Sequence, residues 1–529
     1  MSEHTHRTIE RHCDVAIIGG SAAGLAAALQ LSRQRRSVIV VDSGEPRNAP
    51  AAHMHGLLGF DGQAPSELIT AGRRDVRSYG GEICAGQALD VTRTTDGRFR
   101  VHLTGGHTIA ARRVLLASGV VDELPDIDGI DRHWGRDVIH CVFCHGYEVR
   151  DRRVVHLVNH PMGLHAAPLM RHLTAQYTVV VLDGVGVDPD AVERLSASGV
   201  EVTTSQVRRL VEGDGGEIVA VELSDGRHLE ADAVMVGTRL RARAEAVASL
   251  GIAPAEHPAG IGTLVEVDPT GLTSVPGVYA AGNITDPSHQ VAQAAAHGAW
   301  VGAMIAFSLA DDDTSARSRP SANEHEWDQR YSGEQMWSGN PNGSLVAEIA
   351  AVAPGRVLDV GAGEGGDAVW LAEQGWQVTA NDVSRRALDR VEAEARRRGL
   401  TLATSHADAN DLDPFAGETF DLVTAHYASI PRAPDGRAVR NLLDAVAPGG
   451  LLLVVSHDLE PMHTPIDVSR ATRAFDPYAY VRVEDLVAAL TADDWDIEVH
   501  ETRPRPPGAV SHHVDDVVLR ARRRTDRPA

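Results

Sequence analysis

Twice in this chain of 529 residues a short apolar strand runs into a glycine-rich loop, a helix and a second strand that ends on an aspartate. Strands that are apolar along their whole length are buried on both faces, and a helical crossover lays the next strand parallel beside the first. This pattern dictates an α/β chain of Rossmann-like units. The first unit is Asp14-Val15-Ala16-Ile17-Ile18, the loop Gly19-Gly20-Ser21-Ala22-Ala23-Gly24, a helix from Leu25, and Ser37–Val41 ending at Asp42. Gly19 allows the tight turn and Gly24 lets the helix approach the strand, so the helix N-terminus faces a pyrophosphate while Asp42 accepts hydrogen bonds from a ribose. Ser21 stands where a second glycine is usual, and the loop is correspondingly tighter. The second unit is Val357-Leu358-Asp359-Val360, the loop Gly361-Ala362-Gly363-Glu364-Gly365-Gly366, a helix from Asp367, and Val378–Asn381 ending at Asp382.

Between the two units, residues 311–325 are polar, contain a proline and carry no hydrophobic period, as a linker does. The formal charge of −23 argues against a nucleic-acid partner. All fifty cations are arginine, which excludes a Schiff-base or P-loop lysine. Residues 1–12 are polar and lack the apolar centre of a signal peptide, and four cysteines in so long a chain fit a reducing, cytoplasmic setting. Residues 292–310, within the longest uncharged run, contain Gln293, His297 and Gly298 and are expected to be a packed helix, with no membrane contact.

Cys141-Val142-Phe143-Cys144 is the strongest chemical motif. Two thiols three positions apart can close a reversible disulfide, and at a helix start the first thiolate is stabilised by the helix amides. A zinc half-site or a pair of core cysteines are the alternatives, but Cys13 and Cys84 are remote and unpaired by spacing, so no metal is expected. His145 follows directly and can move protons, or else caps the helix. Downstream, Val114–Gly119 is a buried strand ending in small residues, Gly277–Asp286 is a strand ending in a tight turn, and His289-Gln290-Val291 opens a helix.

Fingerprint, Cys-x-x-Cys and C-terminal motif occur in the order found in the low-molecular-weight thioredoxin reductases, which residues 13–309 resemble; within them they are similar to the FAD-dependent dithiol oxidases of the gliotoxin and holomycin type. The resemblance implies a two-dinucleotide-binding-domain flavoprotein with a split FAD domain, 13–125 and 251–309, and an inserted NAD(P)-binding-like domain, 126–250, carrying the dithiol. It implies that Cys144 lies against the flavin and Cys141 exchanges with substrate. It places Gly282 and Asn283, the latter in place of the usual aspartate, at the ribityl and phosphate, and Gln290 and Val291 at the pyrimidine end. Relatives of this half are usually homodimers.

The inserted domain departs from that family. After Val154–Val158 comes Asn159-His160-Pro161-Met162-Gly163, without the glycines that let a pyrophosphate reach the backbone, and the second strand ends at Asp183 where an arginine pair would hold a 2′-phosphate. NAD(P)H is therefore doubtful, NADPH more so than NADH, and a scaffold without nucleotide is expected. Electrons would then run from a substrate dithiol through the cysteines to FAD and on to oxygen or a thioredoxin-like protein.

In the second unit, Asp359 before the loop and the acids Asp408 and Asp411 after the third strand resemble the class I S-adenosyl-L-methionine-dependent methyltransferases over residues 326–529. By that resemblance Gly361 and Gly363 give access to the methionine part, Asp382 binds the ribose, Asp408 approaches the adenine, and His426 and Tyr427 orient the acceptor, though core or surface roles stay open for both. Trp327-Asp328-x-x-Tyr331 with Trp337 resembles the subset acting on small soft nucleophiles such as thiols, where Trp337 covers the sulfonium, or else packs as an N-terminal cap. His512-His513 beside Asp515-Asp516 point apart on a strand and make no metal site. The resulting expectation is a bifunctional enzyme acting on a small-molecule thiol or dithiol. Its rivals are an NAD(P)H-driven thioredoxin reductase with an appended methyltransferase and a flavin redox sensor that regulates the methyltransferase.

Overall fold

The computed structural model describes residues 8–314, 322–504 and 515–525; His512 and His513 lie outside the described residues. In the first half the β-branched runs form parallel strands in the order Glu82–Ala85, Val38–Asp42, Glu10–Ile18 and Thr108–Leu116. Val278–Ala280 returns from far downstream to pair in parallel with Thr108–Leu116, while Phe99–Leu103 and Ala88–Arg93 extend the sheet in antiparallel fashion. The alanine-rich helix Ala22–Arg33 and the long helix Val291–Thr314 pack on one face. Their close approach requires glycine: a Cβ on Gly298 would stand 2.0 Å from the Ala23 carbonyl oxygen. No helix among the described residues is long and apolar enough to cross a membrane.

The inserted unit is a parallel sheet, Glu201–Thr204, Tyr177–Val181, Val154–Val158, Ala233–Val236 and Val138–Ile139, beside a three-stranded antiparallel sheet. The chain leaves and re-enters the first sheet's domain through the antiparallel ribbon Val120–Glu123 with Arg239–Ala242. The second half is a seven-stranded sheet in the order Ala403–His406, Gln377–Asp382, Arg356–Val360, Phe420–His426, Val446–His457, Asp515–Arg523 and Trp495–Pro504; the first five are parallel, and Asp515–Arg523 runs antiparallel to the strands on either side of it. Both glycine loops therefore leave the carboxyl ends of central strands, where an α/β sheet binds ligands.

Two sequence boundaries shift. The polar tail stops short of residue 12, because Glu10–His12 belong to the first strand and Arg11 is 1% exposed. The linker begins later than residue 310, because the long helix runs to Thr314, where Asp313 pairs with Arg36 and Arg112. These ion pairs anchor residues that by polarity alone read as unstructured.

The halves meet along the edge strand Glu82–Ala85. Arg473 N–H donates to the Ala85 carbonyl, Ile83 N–H donates to the Asp476 carboxylate, and Tyr480 donates to Glu82 at 2.8 Å. Arg11 closes the network: its Nη2 reaches Glu82 at 2.6 Å, and its Nε reaches Glu326, from the helix Ala322–Arg330 of the second half, at 2.7 Å. A segment of the second half thus covers a sheet edge that would otherwise expose unpaired backbone.

Candidate active sites

Gly19 holds φ = +112°, and a Cβ there would lie 2.3 Å from the Ala117 carbonyl oxygen, so only glycine makes this turn. Gly24 is needed for packing, since its Cβ would stand 1.9 Å from the Gly19 oxygen. Past this loop runs a cavity of about 800 Å³ lined by Gly19, Gly20, Ser21, Ala22, Ala23, Asp42, Asn283, Gln290, Val291, Cys141, Cys144 and His145. One continuous space thus joins the glycine loop to the dithiol, and its shape and chemistry fit FAD. Gly282 does not line it; its N–H donates to His297 Nδ1 at 3.2 Å behind the wall. Asn283 donates to the Pro287 and His289 carbonyls, at 3.2 and 2.7 Å, and so shapes the turn that carries Gln290. Asp42 accepts from Gly44 N–H and from Arg73, a partner invisible in the motif because it comes from the helix Pro65–Ser78.

Cys141 and Cys144 are joined as a disulfide at the start of the helical turn Val142–His145, and Cys144 N–H points at Cys141 Sγ, 3.2 Å away. That N–H favours a thiolate at Cys141 once the bond opens. Burial holds His145 below the ordinary imidazole value, with Glu148 pulling the other way, and its Nδ1 is buried without a partner. At neutral pH it is uncharged and able to take a proton. Phe143, between the two cysteines, and Tyr147, three residues after Cys144, are 68% and 63% exposed.

In the inserted unit the loop after Val154–Val158 is filled. Asn159 donates to the Gly237 carbonyl at 2.7 Å, His160 accepts from Met162 N–H, and Pro161 opens a 3-10 turn through Ala166.

In the second half Gly361 and Gly363 take φ = +71° and +54°. Asp382 caps the loop by accepting from Gly363 N–H at 2.9 Å and from Ser384 N–H at 2.8 Å, and burial raises its carboxyl to about 6. Asp408 accepts from Asn410 N–H and from Asn323 of the helix that joins the halves, while Asp411 accepts from Asp408 N–H. Trp337 is half exposed beside Gly363, its Nε1 3.4 Å from the Tyr331 hydroxyl; Glu364 holds its segment down by accepting from Met336 and Trp337 N–H. Tyr427 carries φ = +51°, donates to Asp516 at 2.8 Å and stacks on His457, so its hydroxyl is committed within the sheet. His426 bonds through Nδ1 to Asp367 at 2.7 Å. Asp359, buried, has one oxygen bonded to Thr424 and the other unpartnered. Two left-handed glycines and a buried acid with an unpartnered oxygen, Asp359, fit S-adenosylmethionine.

Burial, then the neighbouring charge of Asp367, pushes Asp359 up to about 7, with Asp382 adding to the rise and His426 and Thr424 opposing it. A carboxyl raised in the folded state favours folding while protonated, so its contribution is full below its ordinary value near 3.8 and is lost as pH rises through about 7. Asp359→Asn should remove this dependence: thermal melts of the ligand-free protein at pH 5 and pH 8 should differ by roughly 2 kcal/mol less in the variant than in the parent. An unchanged difference would place the titration elsewhere.

A family model described as pyridine nucleotide-disulphide oxidoreductase matches residues 13–299, and a methyltransferase-domain model matches 357–450. Similar curated proteins include the thioredoxin reductase tcpT of Claviceps purpurea, 34% identical over 231 residues that cover 41% of this chain and 71% of that protein. The thioredoxin reductase sirT of Leptosphaeria maculans is 30% identical over 324 residues, 58% of this chain and 97% of that protein. Among solved structures, HlmI is 40% identical with a TM-score of 0.54, covering 57% of this chain and 94% of its own. An oxidoreductase from Agrobacterium tumefaciens is 37% identical with a TM-score of 0.53, covering 57% and 99%.

Proposed function

The chain belongs to the pyridine nucleotide-disulphide oxidoreductase family, and on that footing we propose that its two halves act on one small-molecule dithiol, the first oxidising it to a disulfide and the second methylating its sulfur. The first half uses FAD and the second S-adenosylmethionine. The shared cavity carries the reading: Cys141–Cys144 opens on the same space as the glycine loop, whereas the inserted unit's own nucleotide loop is filled by Asn159–Met162.

A substrate thiolate attacks Cys141 Sγ, the Cys141–Cys144 bond breaks, and Cys144 leaves with the electron pair. The substrate's second thiolate then attacks its own bonded sulfur, closes the product disulfide and expels Cys141, whose thiolate the Cys144 N–H stabilises. Two electrons have moved from substrate to protein, and His145 accepts a proton released by the substrate thiols. When bound, FAD supplies the two-electron acceptor that restores the disulfide and hands electrons to oxygen or a protein acceptor. Phe143, exposed and lining the cavity, offers an apolar contact to a small molecule. In the second half, in-line attack of a thiolate on the methyl group needs positioning more than acid–base help. The two outcomes compete, because oxidation needs both thiols and methylation removes one. Trp300 and Phe307, exposed two turns apart on the long helix, support a homodimer, and we read the enzyme as cytoplasmic.

A second reading, reduction of a thioredoxin-like protein with NAD(P)H, is favoured by the names of the relatives tcpT and sirT. Anaerobic titration separates the two. A dithiol should bleach the flavin band while NADPH and NADH leave it intact; rapid bleaching by NADPH would overturn the oxidase reading. In air, steady oxygen consumption with a dithiol, diverted toward S-methyl product as S-adenosylmethionine is raised, should be seen. A flavin sensor would show no turnover, and methylation of oxygen or carbon but no thiol would break the shared substrate.

A further inference from the structure

Both halves of the chain hold on to the nine-residue helix Ala322–Arg330. At about 100° of turn per residue, Asn323, Glu324, Trp327 and Asp328 share one side of it, while His325 and Glu326 fall on the other. The contacts follow that division. Toward the first half, Arg98 Nη1 donates to His325 Nε2 at 2.9 Å and Arg11 Nε donates to Glu326 at 2.7 Å. Toward the second half, Asn323 Nδ2 donates to Asp408 Oδ2 at 3.3 Å and Glu324 meets His406 Nε2 at 3.1 Å. Asp328 Oδ1 accepts from the Ser384 hydroxyl at 2.6 Å and from Arg386 N–H at 3.2 Å.

The second set of contacts falls at and just past the carboxyl ends of two neighbouring strands, Gln377–Asp382 and Ala403–His406. It reaches both acids there. Asp408 is fixed from two sides, since Asn323 bonds Oδ2 while Asn410 N–H bonds Oδ1 at 2.8 Å. Asp382 is held at one remove. Ser384, 0% exposed, donates its N–H to Asp382 Oδ1 at 2.8 Å, and its hydroxyl has a single proton, which goes to Asp328 and leaves the oxygen to accept Ala387 N–H. Without an acceptor at Asp328 that proton has no buried destination, and the residue holding Asp382 loses its anchor. Asn323 and Asp408 also line the cleft between the halves together with Arg98 and His325.

We propose that this helix sets the affinity of the second half for the nucleoside of its methyl donor: Asn323 and Asp328 are positioning residues for Asp408 and Asp382, and Arg98 and Arg11 of the first half hold the helix where they can act. The inference rests on reading Asp408 and Asp382 as the acids that hold adenine and ribose. Whatever loosens the helix from the first half then weakens the nucleoside, and by linkage a bound nucleoside tightens the helix against the first half by the same factor.

Calorimetric titrations of the full chain with S-adenosylhomocysteine and with 5′-methylthioadenosine, which share the nucleoside but not the amino acid, test this. Asp328→Leu should weaken both by about tenfold, the scale of a hydrogen bond to a charged group, whereas Asp328→Asn, which keeps an oxygen acceptor, should stay within about threefold of the parent. Arg98→Met is the decisive variant, because Arg98 belongs to the first half and meets the helix through His325. It should weaken both ligands by about threefold at unchanged flavin content, and Arg98→Lys, which still offers a donor, should restore them. Saturating S-adenosylhomocysteine should also slow amide exchange across residues 322–330 in the parent, and do so less in Arg98→Met. Unchanged affinities in Arg98→Met would overturn the proposal by separating the nucleoside from the first half, and losses confined to S-adenosylhomocysteine would overturn it by moving the effect to the amino-acid end. Either result leaves the methyltransferase reading standing. A parent that binds neither ligand would bring down that reading and this inference together.

Discussion

Cys144→Ser is expected to lower dithiol-dependent oxygen consumption by more than about a thousand-fold while leaving S-adenosylmethionine-dependent methylation within about twofold of the parent. The size follows from the chemistry: with one sulfur gone no protein disulfide exists for the substrate to attack, and the flavin cavity loses its two-electron relay. Serine conserves volume and the pair sits in a single helical turn, so the methyltransferase, measured on the same chain, reports that the fold survives. Cys141→Ser should be equally inactive, but the two differ with an oxidised substrate. In Cys144→Ser the remaining Cys141 thiol should trap the substrate as a mixed disulfide, visible as one adduct in the intact mass, because the Cys144 N–H still points at its sulfur. In Cys141→Ser no adduct should form. Adducts in the reverse pattern would exchange the roles of the two cysteines, and retained turnover in either variant would remove the pair from the reaction.

Arg11→Met should destabilise the chain by about 3–5 kcal/mol, the cost of leaving buried carboxylates without their cation. Arg11 is 1% exposed and bonds Glu82 through two nitrogens, Glu326 through Nε and the Ala474 carbonyl at 2.5 Å. Burial alone would raise Glu326; Arg11 and Arg330 reverse that and hold it below the usual carboxylate range. Without Arg11 that depression is lost, so the penalty should be largest at neutral pH and shrink as Glu326 is protonated in mild acid. Because Arg11 belongs to the first half and Glu326, Ala474 and Tyr480 to the second, denaturant unfolding should split from one transition into two. A triple variant, Arg11→Met with Glu82→Gln and Glu326→Gln, should regain most of the stability. A single unshifted transition in Arg11→Met would show that the halves are held together by other contacts.

Much of both candidate sites was legible because the physics is local. Ile17, Val40, Leu358 and Val378 announce buried strands by composition, Gly19 and Gly361 sit where only a left-handed turn continues the chain, and Asp42 and Asp382 end the next strand. Cys141 and Cys144 are three apart, close enough that their bond depends on one helical turn. The partners of those residues were not legible. Arg73 on Asp42 and Asp367 on His426 come from helices with ordinary charged composition, and Thr424 on Asp359 from a strand that any hydrophobic run would match. Gly282 and Tyr427 were assigned to ligands by position in a motif, yet the structure spends the Gly282 N–H on His297 and the Tyr427 hydroxyl on Asp516.

By itself, then, the sequence determined two α/β halves, their glycine loops and acids, and a dithiol within the first, since each depends on side chains within one strand–turn–helix unit and on short-range backbone sterics. Tertiary structure alone decided that Arg11 is a buried bolt between the halves and that Asp359, Asp367 and His426 gather within 4.8 Å of one another. The reason is separation along the chain: Arg11 lies 315 residues from Glu326, and His426 lies 59 from Asp367. Hydrogen bonds and charge pairs of that span follow from how sheets pack, which no local period encodes.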